Sequence, residues 1–237
     1  MRLERLLQQQ GFGTRKACRK LIRQGRFALA GAPLTDPFVD VAAEEGLLLR
    51  VDGEDWPYAG KAVIMLNKPA GYECSKNPRH HPGIDALLPP PFVARALQSV
   101  GRLDEDSTGL LLLTDDGALI HALSSPGRKV EKRYRVTARH PLDTAQIEAL
   151  RAGVVLRDAP QPARALAVEA ADAHTLLLTL TEGRYHQVKR MLAAVGNRAE
   201  ALQRVAIGAL RLPADLPEGQ WRWLAAADLE LVWRKTA

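Results

Sequence analysis

The chain opens with two short helical patterns. The first covers residues 1–10, and a second helix is predicted from Thr14 to about Gln24. Thr14 is a favourable N-cap, and Gly25 is a favourable C-terminal stop. One arc of this helix is apolar and the opposite arc is cationic: Ala17, Cys18, Leu21 and Ile22 lie opposite Arg15, Lys16, Arg19, Lys20 and Arg23. We therefore expect the apolar arc to face a core.

The pattern after Gly25 predicts small strands. Strand-like stretches lie at 26–29, 38–41 and 47–51, with a turn at 30–32. Two short helices followed by short strands predict a small domain over residues 1–52. Residues 53–60 are polar and contain Gly and Pro, which is typical of a linker.

From residue 61 the apolar runs become longer. Strands are predicted at 62–66, 109–113, 132–137, 165–169 and 175–181, and helices at 117–123, 143–152 and 186–194. Strands and helices are mixed without a regular βαβ alternation. We therefore predict an α+β domain over residues 61–237, with a mixed, largely antiparallel sheet flanked by helices and loops.

The distribution of charge changes the interpretation of the first domain. The whole chain has a net charge of +6, but residues 1–26 carry eight basic residues against Glu4 alone, so the remaining residues sum to −1. A concentrated positive potential attracts a polyanion, and nucleic acid phosphates are the usual candidate. The alternative is a solvated helix face in a basic protein.

Other classes of protein are disfavoured. Cys18 and Cys74 have neither disulfide nor metal-ligand spacing, and the adjacent His80 and His81 lack partners for a metal. No apolar run is long enough for a bilayer, and the start does not resemble a signal peptide. We expect a cytoplasmic protein, active as a monomer.

Three segments carry candidate chemistry. The first, residues 101–117, reads GRLDEDSTGLLLLTDDG, an acidic loop that leads into a buried strand. The second, residues 131–136, reads EKRYRV, and the third, residues 182–191, reads EGRYHQVKRM. Asp104, Asp106, Asp115 and Asp116 are potential cation ligands, but Asp115 and Asp116 also suit a turn that opens a helix, and we expect no metal.

These segments resemble, in the same order, the motifs of the RsuA-like pseudouridine synthases. Residues 67–72, NKPAGY, also resemble the segment that opens that catalytic domain, and residues 1–52 resemble the S4-type (α-L) RNA-binding domain. The resemblance implies that Asp104 is the catalytic nucleophile and Tyr134 an active-site tyrosine. It implies that Lys189 pairs with Asp104, with Arg184 as the alternative. Arg102 would enter the RNA stack, and further RNA contacts would come from Arg184, His186, Gln187 and Arg190, together with Arg15, Lys16, Arg19, Lys20 and Arg23.

The implied reaction explains the residue types. Conversion of uridine to pseudouridine breaks the N1–C1′ bond and forms a C5–C1′ bond, so it needs neither redox chemistry nor a cofactor. The target base must leave the stack and enter a pocket. A carboxylate in such a pocket needs a nearby cation for orientation, and an arginine can stack and hold phosphates. Attack at C1′, attack at C6 and elimination through a glycal all remain open.

The resemblance favours ribosomal RNA as the partner, most of all 16S rRNA or the assembling small subunit. The third segment matches the 16S-directed branch more closely than its 23S-directed relatives. Two alternatives remain open from sequence: the same chemistry on 23S rRNA, and a non-catalytic RNA-binding or ribosome-assembly factor that acts through the S4-like domain.

Overall fold

A computed structural model describes residues 1–157 and 161–236, and only the backbone of Pro126. Residues 158–160 and 237 of the domain predicted over 61–237 lie outside the described residues. The helices are α1 (Leu3–Gln9), α2 (Arg15–Arg23), α3 (Pro90–Ala94), α4 (Gly117–Ser124), α5 (Thr144–Ala152), α6 (Gln187–Ala194) and α7 (Ala226–Val232). The strands are β1 (Phe27–Leu29), β2 (Ala32–Pro33), β3 (Leu48–Val51), β4 (Glu54–Pro57), β5 (Val63–Lys68), β6 (Gln98–Ser99), β7 (Thr108–Thr114), β8 (Lys132–Ala138), β9 (Ala167–Ala170), β10 (Thr175–Leu180), β11 (Ala199–Ile207), β12 (Leu210–Arg211) and β13 (Trp221–Trp223). None of the described helices has the length and apolar character needed to cross a membrane.

The chain forms two compact units. The first contains residues 1–62, 87–98 and 114–116, and the second contains 63–86, 99–113 and the chain from 117 onward. In the first unit α1 packs on α2, and a sheet follows in the order β2-β1-β3-β4, with antiparallel pairs throughout. Its fully buried apolar side chains include Leu3, Leu6, Leu7, Cys18, Ile22 and Leu49.

The second predicted helix is confirmed as α2. The Thr14 hydroxyl accepts a hydrogen bond from the backbone N–H of Ala17 at 3.3 Å, which caps the helix as its sequence predicts. Cys18 and Ile22 are buried, as expected for the apolar arc, whereas Ala17 is exposed. The buried face of α2 is therefore narrower than the apolar arc predicted from the sequence.

The strand predicted at residues 38–41 is wrong. Asp36 accepts a hydrogen bond from the backbone N–H of Phe38 through its carboxylate at 2.9 Å, which is a local turn. Only an isolated antiparallel bridge joins Arg2 and Asp40. Backbone hydrogen bonds of Val39 with Leu3 and of Val41 with Met1 flank this bridge, so the pairing is too short to form a strand.

Residues 53–60, expected to form a linker, contain the strand β4. It pairs with β3 in the register Leu49 with Trp56 and Val51 with Glu54. The aromatic rings of Trp56 and Phe92, both in the first unit, lie 4.7 Å apart. This segment is thus an edge strand with a buried tryptophan, while the boundaries of the predicted domains remain a prediction.

The second unit is built on one large sheet. Among the described residues it has nine strands, in the order β13-β5-β7-β11-β8-β10-β9, with β12 paired to β11 and β6 to β7. The β7–β11 pair is parallel, whereas β11–β8, β8–β10, β10–β9 and β5–β13 are antiparallel. The predicted α+β class with a mixed, largely antiparallel sheet is confirmed.

Strand β11 was not anticipated from the sequence, although it pairs with both β7 and β8. It carries Arg204, which is 2% exposed. The Arg204 Nε donates to the Leu110 carbonyl at 2.7 Å, and its Nη2 has no hydrogen-bond partner among the described residues. A charged residue at a buried strand position conceals the apolar alternation that identifies a strand.

The approach of β7 to β11 requires a glycine. Gly109 has a φ of 101°, and a Cβ there would lie 2.3 Å from the Arg204 carbonyl oxygen. Both the backbone conformation and the space exclude a side chain. Gly109 therefore sets the parallel contact that follows the acidic loop.

We expect Gly109→Ala to lower the free energy of unfolding by about 2–4 kcal/mol, because it combines backbone strain with overpacking. Urea denaturation followed by circular dichroism measures the change. Gly117→Ala is the matched control, since a Cβ at this helical glycine meets nothing within 4 Å. Its effect should stay within about 1 kcal/mol. Equal stability of the two variants would contradict the role given to Gly109.

Candidate active site

Asp104 lies in the loop between β6 and β7. The backbone N–H of Ser107 donates to the Asp104 carbonyl at 3.1 Å, which closes a turn around the aspartate. The Asp104 side chain is 28% exposed. Its carboxylate is therefore partly desolvated yet open to a substrate.

A buried lysine on β5 anchors this loop through hydrogen bonds to its backbone. Lys68, at the end of β5, is fully buried, and its Nζ donates to the carbonyls of Pro69, Glu105 and Ser107 at 2.9, 3.0 and 2.9 Å. Burial lowers the pKa of Lys68 below its ordinary value. The three donors of the ammonium are matched by three carbonyls, so two backbone positions just after Asp104 are fixed.

Lys189 joins the loop to α6. Its Nζ lies 3.2 Å from Asp104 Oδ2 and 2.5 Å from Asp106 Oδ1. Burial alone would lower the pKa of Lys189, but the hydrogen bond to Asp106 and the charge of Asp104 outweigh it, so the pKa lies above its ordinary value. Burial would raise the pKa of Asp106, and the bond from Lys189 reverses this to a net lowering. Lys189 thus stays charged near neutral pH, between two carboxylates.

His186 faces the other oxygen of Asp104. Its Nε2 lies 3.4 Å from Asp104 Oδ1. The residue precedes α6 with a φ of 46°, a left-handed conformation that a non-glycine residue adopts at a cost. The rings of His186 and Tyr185 are stacked at 3.8 Å, and Tyr185 is 76% exposed. The strained backbone therefore places one ring on the carboxylate and a second ring towards solvent.

Arg184 and Gln187 are bonded to other groups of the protein. Arg184 pairs with Glu182 at 3.2 Å and donates to the Gln161 carbonyl at 2.8 Å. Gln187 is buried; it accepts from the Arg184 N–H and donates to Glu182. Of the two cations considered as the partner of Asp104, Lys189 is the one in contact. Gln187 was expected to bind RNA, but both ends of its amide are used within the protein, which indicates a structural role.

The remaining expected site residues differ in exposure. Arg102 is exposed two residues before Asp104, and Arg190 on α6 donates to the Tyr185 carbonyl at 3.1 Å. Tyr134 is 8% exposed and lies on β8, opposite Leu178 and Arg204. Within the described residues, no hydrogen bond joins Tyr134 to Asp104.

No group of three potential metal ligands is present among the described residues. Of the four aspartates considered from sequence, Asp115 is bound by Arg95 at 2.7 Å and by the Ala62 N–H at 2.8 Å. Asp106 is bound by Lys189. With Asp104, which also contacts Lys189, three of these four carboxylates have a cationic partner on the protein.

Two family models match this chain. The family model described as RNA pseudouridylate synthase matches residues 62–194, which is more than half of the chain. The chain belongs to the RNA pseudouridylate synthase family. The S4 domain model matches residues 1–44, and the enzyme class favours catalysis over a purely RNA-binding factor.

Relatives of this synthase are similar over nearly their whole length. A protein of Pasteurella multocida, called ribosomal small subunit pseudouridine synthase A, is 37% identical over 97% of this chain and 98% of its own. The protein of that name from Escherichia coli K12 is 37% identical over 98% of this chain and 100% of its own. A solved structure titled "Crystal structure of pseudouridylate synthase" has a TM-score of 0.69 and 36% identity, and the match covers 98% and 99% of the two chains.

Sequence reasoning missed three features of the synthase site: Asp106 shares Lys189 with Asp104, His186 reaches the Asp104 carboxylate, and Lys68 supports the loop. The position of Lys68 in the segment NKPAGY was a signal for the last of these, because a lysine at the end of an apolar strand needs a buried partner. The other two features depend on the approach of α6 to a loop about 80 residues earlier in the sequence, which no local pattern reveals.

Lys132, in the second segment, should make the free energy of unfolding depend on pH. Burial lowers the pKa of Lys132 to about 8, and the positive charge of Arg204 acts in the same direction. Because the ordinary pKa is 10.5, the unfolded chain binds more protons between pH 8 and 10.5, so stability should rise with pH in that window. Lys132→Met should remove the part of the rise due to Lys132, up to about 3 kcal/mol.

Urea unfolding at intervals from pH 7 to 10 measures this effect. The buried Lys68 contributes a rise of the same sign, so a partial loss is expected. Lys61→Met, at an exposed lysine, is the matched control. If Lys132→Met and the wild type show the same dependence on pH, the interpretation of Lys132 is wrong.

Proposed function

We propose that this enzyme converts a uridine of small-subunit ribosomal RNA to pseudouridine, with Asp104 as its catalytic residue. The observation that supports this most strongly is the position of the Asp104 carboxylate. Lys189 and His186 lie 3.2 and 3.4 Å from its two oxygens, and Lys68 anchors the loop that carries Asp104. The proposed substrate follows the name of the relatives that match this chain over nearly its full length.

The geometry gives each residue a role in the proposed reaction. Lys189 orients Asp104 and balances its charge, so that the carboxylate is presented towards a base that has left the stack. Arg102 is exposed on the same loop and suits the space that the base vacates. Tyr134 would line the pocket from β8. The bond broken is N1–C1′ and the bond formed is C5–C1′. C5 loses its proton and N1 gains one, so that the product is an isomer of the substrate.

We expect Asp104→Asn to abolish pseudouridine formation without weakening RNA binding, because the amide keeps the shape of the side chain and loses its charge. Pseudouridine mapping by chemical adduct and primer extension, on 16S and 23S transcripts and on assembling small subunits, measures the product. Asp106→Asn is the matched variant in the same loop, and it should retain activity within about tenfold because Lys189 still contacts Asp104.

The outcomes separate the alternatives. A stop on 16S RNA that Asp104→Asn fails to produce supports the proposal in full. A stop on 23S RNA alone assigns the same chemistry to the large subunit. An active Asp104→Asn variant refutes the role given to this carboxylate. A wild-type enzyme with no product on any of the three substrates refutes the ribosomal RNA proposal.

We also propose that the first unit, which contains the S4-like residues 1–44 and is called the S4-like unit below, binds RNA through the cationic arc of α2. Arg15, Lys16, Lys20 and Arg23 are exposed, whereas Arg19 is half-buried and bonded to the buried Glu4. The hydrogen bond from Arg19 holds the pKa of Glu4 below its ordinary value, so this carboxylate stays charged. One acidic group fixes the helix, and the other cations remain available to phosphates.

Replacing Arg15, Lys16 and Lys20 together with Gln should weaken RNA binding and reduce the slope of log K against log salt by about 2–3, because each phosphate contact contributes about 0.7–0.9. Fluorescence anisotropy with a 16S transcript at several salt concentrations measures the slope. The control is the pair Arg26→Gln and Arg50→Gln, since these arginines are already paired with Asp52 and Asp55. An unchanged slope in the triple variant would refute the role of α2.

We further propose that the enzyme acts as a cytoplasmic monomer. Asp104, Lys189, His186 and Lys68 all belong to the second unit of one chain. A ribosomal RNA substrate places the reaction where ribosomes are assembled.

A further inference from the structure

Phe38 is an exposed aromatic ring in the first unit, in the loop between β2 and β3. Its side chain is 40% exposed. Phe38 belongs to the first unit, whereas all of the Asp104 loop belongs to the second unit. The active site therefore gives no reason for its exposure.

The backbone holds Phe38 in place from both sides. The N–H groups of Leu3 and Glu4, at the start of α1, donate to the carbonyls of Val39 and Pro37 at 2.9 and 3.1 Å. The Phe38 N–H itself donates to the Asp36 carboxylate at 2.9 Å. The ring is thus presented by a fixed loop and is not the tip of a loose one.

Three guanidinium groups surround the ring. The Cζ atoms of Arg19, Arg2 and Arg23 lie 5.2, 5.7 and 6.0 Å from the ring centroid of Phe38. Each distance is within the range of a cation–π contact. We call Phe38 and these three arginines the aromatic–arginine cluster.

The charge of the cluster is only partly balanced. Arg19 is bonded to Glu4, whereas Arg2 and Arg23 are exposed and form no ion pair within the described part of the chain. The nearby carboxylates are otherwise engaged: Asp36 accepts the Phe38 N–H, and Asp40, which is largely exposed, lies 3.9 Å from the amino terminus. Cations that gather around one ring without acidic partners repel each other, unless an anion joins them.

We propose that the aromatic–arginine cluster binds one unpaired nucleotide of the RNA. The base stacks on the Phe38 ring and the guanidinium planes, and the phosphates on either side pair with Arg2 and Arg23. A nucleotide of single-stranded RNA offers a planar π-face and a negative charge within a few ångströms, and the cluster offers the complement of both. The inference rests on the proposed RNA substrate and deepens it, because it adds a site for an unpaired base outside the catalytic pocket.

The site makes the S4-like unit selective as well as cationic. Phosphate contacts along α2 act on any RNA, paired or unpaired. A stacking ring acts only on bases that are free to splay out of a helix. The cluster therefore directs the enzyme to junctions between helices and single strands.

The test uses the full chain with Phe38→Leu and Phe38→Trp. Leu keeps an apolar side chain and removes the π-face, whereas Trp enlarges it. The probes are a single-stranded oligouridylate of about 12 nucleotides and a fully paired RNA duplex of the same length, measured by fluorescence anisotropy. Thermal unfolding of each variant shows whether the fold is preserved.

We expect Phe38→Leu to weaken binding of the single strand at least about fivefold, with an unchanged slope against salt and unchanged binding of the duplex. Phe38→Trp should bind the single strand as tightly as the wild type or more tightly. Its tryptophan fluorescence should be quenched more strongly than that of the wild type when the single strand binds, but not when the duplex binds.

Wild-type affinity of Phe38→Leu for the single strand would overturn the proposal. So would equal losses on both probes, or a lowered melting temperature with no Trp quenching, since either result indicates a purely structural cluster. Displacement of the single strand by polyglutamate as readily as by RNA would assign the site to an acidic protein segment instead. These outcomes do not depend on the isomerase assay, so failure of the proposed substrate and failure of this site are distinguishable.

Discussion

The Asp104 loop depends on one buried ammonium. A charge as deeply buried as that of Lys68 is tolerated only when its donors are fully used, and three carbonyls meet this condition. Two of them belong to Glu105 and Ser107, so the end of strand β5 determines the path of the backbone next to Asp104. A second bond, from the Gly71 N–H to the Glu105 carbonyl at 2.8 Å, fixes the same point. The Asp104 loop is thereby attached to the sheet.

Two carboxylates of the Asp104 loop, Asp104 and Asp106, share one cation, Lys189. Lys189 contacts Asp104 and Asp106, and its closer partner is the more exposed Asp106. This arrangement keeps the lysine charged, because Asp106 holds it in place while Asp104 remains partly exposed. The His186 Nε2 contacts the second oxygen of Asp104, and His186 adopts a left-handed backbone conformation to do so, which is energetically unfavourable for a non-glycine residue. The carboxylate is therefore oriented before any RNA arrives.

Buried charges have a different role in this chain from exposed ones. In the second unit, the buried cations Lys68 and Arg204 hold backbone carbonyls and position strands and loops. In the first unit, Glu4 fixes Arg19, and Arg95, whose side chain is buried, donates to the Ala59 carbonyl, whereas most of the basic side chains of α2 remain exposed. A buried charge must be satisfied inside the protein, whereas an exposed one is available to a phosphate.

The sequence by itself determined the elements with local signals and the identity of the reaction. Thr14 and the capping box of Asp143 with Gln146 mark the starts of α2 and α5 through bonds within four residues. The motifs around Asp104 and Lys189 indicated the family and the candidate residues. Only the tertiary structure decided the rest, since a strand such as β11 exists through partners far away in the chain, whereas the stretch from Phe38 has only the single bridge between Arg2 and Asp40. The same reason applies to the site: the contacts of Lys189, His186 and Lys68 with the Asp104 loop join segments that only folding brings together.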